Sequence, residues 1–207
     1  MAVAPEQVVH VVDDDAAVRQ SLELLLKAMG LRVSAYSSGA DFLSAWPEDP
    51  PGCMVLDIRM PGMSGLELQQ QLNARHSILP IIFITGHGDV PMAVEAMQAG
   101  AMDFIQKPFR DQDLLDRIAQ ALEKDAATRR LLGERNAIRA RLKSLTPRET
   151  EVLNLVVAGK ANKVIAGDLD LSQRTVEIHR ARVMEKMRAH SLAHLVRMVL
   201  AAEGADA

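Results

Sequence analysis

The stretch VLDIRMPGMSG occupies residues 55–65 and organises the first part of the chain. A short apolar run ends in Asp57, and Met60, Pro61 and two glycines follow. An aspartate where a buried strand gives way to a turn is fixed in direction, so Asp57 is the first candidate for chemistry. The alternative is that Asp57 starts a turn or caps the helix that opens near Ser64, two roles in which aspartate is common.

Short apolar runs alternate with helical patterns on both sides of this stretch. After the first run, Val18, Leu22 and Leu26 recur at helical spacing until Gly30. Strands that alternate with helices indicate parallel strands with helices on both faces. We therefore predict an α/β doubly wound domain with a five-stranded parallel sheet. The predicted strands are 8–12, 32–36, 53–56, 81–85 and 104–105.

Polar side chains lie at the ends of four predicted strands. They are Asp13 and Asp14 after the first strand, Asp57 at the end of the third, Thr85 at the end of the fourth and Lys107 after the fifth. Right-handed crossovers place all these ends at one edge of the sheet, where ligands bind. Three carboxylates, a hydroxyl and an amine should therefore converge in one crevice.

Phosphoryl transfer to a carboxylate suits this set. Clustered carboxylates repel one another, so we expect a hard cation, and Mg²⁺ prefers one or two carboxylates with phosphate oxygens and water. Asp57 can then act as the nucleophile and become an aspartyl phosphate. Thr85 can donate a hydrogen bond to the phosphoryl oxygens, and Lys107 can pair with them. Pro108 makes a cis peptide bond after Lys107 possible.

Residues 1–126 resemble a response-regulator receiver domain, which implies a flavodoxin-like fold with strand order 2-1-3-4-5. The motifs that carry the resemblance are VVDDD at 11–15, VLDIRMPGMSG at 55–65, FITGHGD at 83–89 and FIQKPF at 104–109.

The resemblance also implies roles for single residues. Asp57 becomes the phosphoacceptor, with Thr85 and Lys107 assisting. Thr85 and Phe104 become a switch pair in which Phe104 turns inward behind Thr85, although Phe104 could equally be a plain core aromatic. The implied metal ligands are Asp13, Asp14, Asp57 and the backbone carbonyl of Arg59.

Composition and charge favour a soluble protein of two domains. The 207 residues are 48% apolar and 25% charged, without an apolar run of the about 20 residues that a membrane helix needs. We expect a cytoplasmic protein with no membrane partner. The net charge of −3 is uneven, because residues 1–126 hold 18 acidic and 9 basic residues while residues 127–207 hold 9 and 15. The acidic part suits a cation, and the basic part suits nucleic acid.

Residues 127–143 are predicted to form a helical linker. Leu131, Ile138, Leu142 and Leu145 recur at three to seven residues and form a thin apolar stripe. The stripe could pair with a second copy of the chain, or the linker could be an exposed helix without a partner.

Residues 144–207 are predicted to form an all-α helix-turn-helix domain. Thr146, Pro147 and Glu149 are typical of a capped helix start. Two closely joined helices follow, at 162–169 and 172–187, and a short connection of this kind is typical of a helix-turn-helix whose second helix enters the major groove. The basic residues of that second helix are Arg174, Arg180, Arg182 and Lys186.

The segment LTPRETEVLNLVVAGKANKVIAGDLDLSQRTVEIHRARVMEKM, residues 145–187, resembles the LuxR/NarL-type DNA-binding domain. Val164 departs from the acid or glutamine usual there. TVEIHRA together with TGHGDVPMAVEAM at 85–97 is similar to the FixJ-type subgroup. The resemblance implies two sets of DNA contacts. The groove-facing set is Thr175, Glu177, Ile178 and Ala181, and the set for phosphates or groove edges is Lys163, Arg174, His179 and Arg182.

Together the two resemblances imply a transcription factor that phosphorylation switches. A sensor histidine kinase would phosphorylate Asp57, the chain would form a homodimer, and the dimer would bind promoter DNA and activate transcription with RNA polymerase. Apart from its own phosphotransfer and dephosphorylation, the chain is not expected to be an enzyme.

Two other classes of protein compete with this prediction. An aspartyl-phosphate phosphatase would carry a second acid two residues after its nucleophile, where this chain has Arg59. A LuxR-type regulator that senses a small ligand without phosphorylation would lack the set of Asp57, Thr85 and Lys107.

Overall fold

The computed structural model describes residues 7–46, 49–86 and 90–203. The chain divides into two compact units, Met1–Arg129 and Arg130–Ala207, and each has its own hydrophobic core. No helix within the described residues is long and apolar enough to cross a membrane.

The first unit contains a parallel sheet. Its strands are β1 (Val8–Val12), β2 (Arg32–Tyr36), β3 (Gly52–Asp57), β4 (Ile81–Thr85) and β5 (Asp103–Gln106). All neighbouring strands pair in parallel, and the order β2-β1-β3-β4-β5 confirms the predicted topology. Every residue of β3 is buried, as expected for a central strand with helices on both faces.

Five helices begin in the first unit. They are α1 (Ala16–Ala28), α2 (Gly39–Ser44), α3 (Gly65–Ala74), α4 (Val90–Gln98) and α5 (Asp111–Lys143). Because side chains alternate along a strand, Cys53 and Val55 pack in one core with α1 and α5, whereas Met54 and Leu56 pack in the other with α2, α3 and α4.

The second unit is helical. Its further helices are α6 (Pro147–Val157), α7 (Asn162–Asp168), α8 (Gln173–Met187) and α9 (Leu192–Glu203). The capping box predicted at Thr146 and Glu149 is present. Ser172 caps α8 by accepting a hydrogen bond from the backbone N–H of Thr175. Turns and caps therefore fix the helix boundaries close to those predicted.

Part of the predicted linker stripe packs inside the second unit. Ile138, Leu142 and Leu145 contact its helical core, whereas Leu131 is 56% exposed. The end of α5 is therefore not an exposed linker helix, because these side chains have apolar neighbours in the same unit.

Candidate functional site

The predicted site residues of the first unit lie at one edge of the sheet. Asp57 is the last residue of β3, and Thr85 is the last residue of β4. Asp13 directly follows β1, and Lys107 directly follows β5. Since β1 and β3 are neighbours in the sheet, their carboxyl ends place two acids side by side.

Lys107 joins the two acids. Its Nζ donates a hydrogen bond of 2.9 Å to Oδ2 of Asp13 and another of 2.9 Å to Oδ1 of Asp57. The side chains of Asp13 and Asp57 are 1% and 10% exposed, and that of Lys107 is 28% exposed. One ammonium is therefore shared by two nearly buried carboxylates.

Backbone groups hold the remaining carboxylate oxygens. The N–H of Asp15 donates to Oδ1 of Asp13 at 2.8 Å, and the N–H of Arg59 donates to Oδ2 of Asp57 at 2.7 Å. The Asp57 carboxylate is thus oriented on both sides, and Ser64, not Asp57, caps α3. The alternative role of Asp57 as a helix cap is wrong.

The electrostatic balance of the site is unequal. Burial raises the pKa of Asp57 above its ordinary value, and the charge of Asp13 adds to this, although hydrogen bonds from Lys107 and Arg59 oppose it. Burial alone would lower the pKa of Lys107, but its hydrogen bonds to Asp57 and Asp13 and the negative charges of both raise it overall. Two acids share one cation, so Asp57 remains incompletely neutralised.

The other predicted residues of this site are placed as follows. Thr85 is buried, with its Oγ1 at 3.5 Å from the carbonyl of Gly86. Phe104 is 38% exposed, so it is not a plain core aromatic in this structure. The peptide bond between Lys107 and Pro108 is cis. Residues 87–89 of the FITGHGD motif lie outside the described residues.

The carboxylate oxygens at this edge could supply some of the ligands that a hard cation needs. Two buried carboxylates lie next to each other, and Mg²⁺ is typically held by one or two carboxylates together with phosphate oxygens and water. Asp14, in contrast, is exposed. Among the described residues, no three His, Cys, Asp or Glu side chains form a group that could hold a metal ion. Asp13 and Asp57 are therefore the side chains best placed to bind Mg²⁺.

Gly65 lets α3 begin directly beside Asp57. A Cβ at this position would lie 2.3 Å from the carbonyl oxygen of Asp57 and 3.0 Å from the ring of Phe83. The backbone N–H of Gly65 also donates to the carbonyl of Ile58 at 2.9 Å. The close approach explains why a glycine stands at the end of the VLDIRMPGMSG motif.

In the second unit, α7 and α8 form the predicted helix pair. The guanidinium of Arg180 donates to Oδ1 of Asn162, which ties α8 to the start of α7. Asp170, in the connection between them, has a φ of 55°, in the left-handed region that a tight turn needs.

Most of the predicted DNA contacts are exposed on this pair. Ile178 is 47% exposed, an unusual place for a large apolar side chain. His179 is half-buried, and its buried Nδ1 has no hydrogen bond to any residue that the structure describes. Thr175 is half-buried, and the other exposed members are Lys163, Arg174, Glu177, Ala181 and Arg182.

Two of the four basic residues predicted to make α8 a DNA-binding helix have internal roles. Arg180 bonds to Asn162, and Lys186 pairs with buried Glu149 at 2.6 Å. Hydrogen bonds from the Lys186 ammonium and from the backbone N–H of Thr146 lower the pKa of Glu149 to about 2. Counting basic residues missed this distinction, which depends on the turn of the helix that each residue occupies.

Sequence inspection also missed a buried polar network at the opposite end of the first unit's sheet. Asp125 on α5 is fully buried and accepts hydrogen bonds from the Gly52 N–H at 2.9 Å, Arg129 Nε at 2.8 Å and Gln7 Nε2 at 3.3 Å. Arg129 also donates to the carbonyl of Pro50 at 2.9 Å. This network fastens α5 to the amino ends of the strands.

Comparisons with known proteins agree for both units. The family "Response regulator receiver domain" matches residues 9–119, and "Bacterial regulatory proteins, luxR family" matches residues 143–199. The chain is 53% identical to the transcriptional regulatory protein FixJ of Rhizobium meliloti (strain 1021), covering 93% of this chain and 95% of that protein.

Two solved structures are similar over nearly the whole chain. The response regulator StyR is 46% identical with a TM-score of 0.88, covering 94% of this chain and 98% of that one. Full-length FixJ from B. japonicum is 44% identical with a TM-score of 0.60, covering 96% and 98%.

Proposed function

Because the chain belongs to the response regulators that join a receiver domain to a LuxR-family DNA-binding domain, we propose that a sensor histidine kinase phosphorylates Asp57 and that phosphorylation controls binding to promoter DNA. The arrangement of Asp13, Lys107 and Asp57 carries this proposal, since Lys107 lies 2.9 Å from both carboxylates.

The reaction forms one bond and breaks one. A carboxylate oxygen of Asp57 attacks the phosphorus of a phosphohistidine, an O–P bond forms, and the P–N bond breaks with its electron pair passing to the imidazole, which takes up a proton. Lys107 stabilises negative charge on the transferred group, and Thr85 donates a hydrogen bond to it. Receiver domains generally use Mg²⁺, which would neutralise phosphoryl charge. Asp13, Asp14, Asp57 and the Arg59 carbonyl would hold it here.

Labelling tests the phosphoacceptor. Incubation with acetyl phosphate and Mg²⁺ should add one phosphoryl group to the wild type, measured by intact mass, and none to Asp57→Asn. Asp116→Asn, at an exposed position on α5, is the matched control and should be labelled like the wild type. Equal labelling of Asp57→Asn would remove Asp57 from this role, and a chain that is never labelled would favour a ligand-sensing regulator.

We infer that phosphorylation promotes a homodimer through α4 and β5. Apolar side chains are exposed there: Val94 at 51%, Met97 at 41% and Phe104 at 38%. Thr85 and Phe104 would rearrange together. To change the ratio of active to inactive conformation from 1:99 to 99:1, phosphorylation must favour the active conformation by about 5.5 kcal/mol. Sedimentation should show more dimer after phosphorylation of the wild type and less in Val94→Asp. An unchanged mass in the phosphorylated wild type would contradict the dimer.

We propose that the second unit binds promoter DNA and that the bound dimer activates transcription with RNA polymerase. Exposed Lys163 and Arg182 are expected to contact phosphates, so Arg182→Ala should weaken binding to many sequences. It should also reduce the salt slope, which is the slope of the logarithm of the binding constant against the logarithm of the salt concentration, by about 1. Arg148→Ala, on α6 and already paired with Glu151, is the control and should leave the slope unchanged. A slope unaltered in Arg182→Ala would argue against this contact.

A further inference from the structure

The carboxylate of Glu177 differs from most of the other acidic side chains that the structure describes in the second unit. Glu177 is exposed on α8, and its carboxylate has no hydrogen bond or ion pair within the described part of the chain. Four other acids of this unit each pair with a lysine or arginine: Glu134, Glu149, Glu151 and Asp168.

Glu177 lies in the second turn of α8, which begins at Gln173. The helix buries Val176 and Val183, and its opposite side exposes Arg174 and Ile178. Glu177 therefore lies beside the outward face, near the amino end of the helix. In helix-turn-helix proteins, this part of the second helix contacts base edges.

An unpaired carboxylate in this place disfavours DNA binding unless it finds a donor. Phosphates repel it, so Glu177 by itself lowers affinity for any sequence. Amino groups of adenine and cytosine are the donors in the major groove, and adenine carries the acceptor N7 beside its amino group, which repels a carboxylate. Cytosine N4 is therefore the base group that best fits Glu177.

We propose that Glu177 accepts a hydrogen bond from the N4 amino group of a cytosine and so makes that base a required part of each half-site. This inference rests on the proposed DNA binding. Phosphate contacts carry no sequence information, whereas a contact of this kind selects one base at one position.

A binding-site selection tests the proposal. The full-length chain, phosphorylated with acetyl phosphate, is presented with randomised double-stranded oligonucleotides, and the base preference at each position is measured. The wild type should prefer cytosine at one half-site position by about tenfold over other bases. Glu177→Gln should prefer adenine there, because glutamine offers both an acceptor and a donor, and Glu177→Ala should show no preference.

Glu185→Gln is the matched control, since the Glu185 side chain on α8 is also exposed and without a partner among the described residues, but lies two turns further along. It should raise affinity through lost repulsion and leave every base preference unchanged. A selected sequence that stays the same in Glu177→Gln would overturn the inference, as would an equal change in both variants. If the wild type selects no common sequence, the proposed DNA binding itself fails.

Discussion

Replacing Lys107 by methionine tests whether one ammonium stabilises two buried carboxylates. Breaking a buried ion pair by removing one partner costs about 3–5 kcal/mol, because the other charge stays buried. Lys107 is 28% exposed, and water that enters its place can solvate Asp13 and Asp57 in part. We therefore expect the free energy of unfolding of the first unit to fall by about 2 kcal/mol.

Urea unfolding at pH 7 without divalent cations measures this loss. The chain has a single tryptophan, Trp46, which packs against Phe42 in the first unit, so its fluorescence reports on that unit. A loss of about 2 kcal/mol shifts the urea midpoint by about 1 M. Lys124→Met, at an exposed position on α5, should shift it little. Added Mg²⁺ should restore part of the stability of Lys107→Met, since it supplies positive charge to the native state alone.

Two results would refute this reasoning. One is a free energy of unfolding for Lys107→Met within about 0.5 kcal/mol of the wild type, the size of an ordinary surface substitution. The other is an equal loss in Lys107→Met and in the double variant Lys107→Met with Asp57→Asn, because removing one of the two unpaired charges should recover stability.

Four further predictions concern stability. Asp57→Asn should raise the urea midpoint at pH 7 without divalent cations, because a raised carboxyl pKa means that the charged form costs stability above the ordinary pKa of 3.8. Burial lowers the pKa of His10 from 6.5 to about 4, and its two buried ring nitrogens have no hydrogen bonds within the described ranges, so stability should fall as the pH drops from 6.5 toward 4. His10→Leu should abolish that fall and add about 1 kcal/mol at pH 7. Glu149 contributes stability that is present above pH 4.5 and lost as the pH falls toward 2. Unfolding followed by circular dichroism should show that the free energy of unfolding falls by about 1–2 kcal/mol over this range, a figure reduced because Lys186 is partly exposed to solvent. Glu149→Gln should remove this pH dependence. Gly65→Ala should lower the free energy of unfolding by about 2 kcal/mol, and with it the urea midpoint, because the added Cβ meets a backbone carbonyl. An unchanged midpoint would show that the backbone can shift.

The sheet and its polar edge could be predicted because both follow from local patterns. An apolar run followed by an acid identifies a strand end, and the handedness of crossovers places all such ends together. The contact of Lys107 with Asp13 and Asp57 follows from this geometry, although the three are up to 94 residues apart in the sequence. Exposure of Phe104 could not be predicted, since a side chain at the sheet margin can face inward or outward without changing the pattern.

Polar contacts between elements leave no such pattern. Gln7 and Asp125 are 118 residues apart, and Arg180 and Asn162 lie on different helices. Long-range polar pairs depend on which turn of a helix faces its neighbour. For the same reason, counting Arg180 among the basic residues of the second helix did not predict its hydrogen bond to Asn162, which joins α8 to α7.

The network around Asp125 determines where the first unit can be cut. A fragment that ends at residue 126 keeps the fully buried carboxylate of Asp125 but loses Arg129, the cation that pairs with it at 2.8 Å. Burial of an unpaired charge is costly, so this fragment should be distinctly less stable than one that continues through Arg129. The few residues after the last apolar contact of α5 thus stabilise the first unit. In a fragment shortened there, a loss of phosphorylation could result from lower stability and not from a defect of the phosphorylation site.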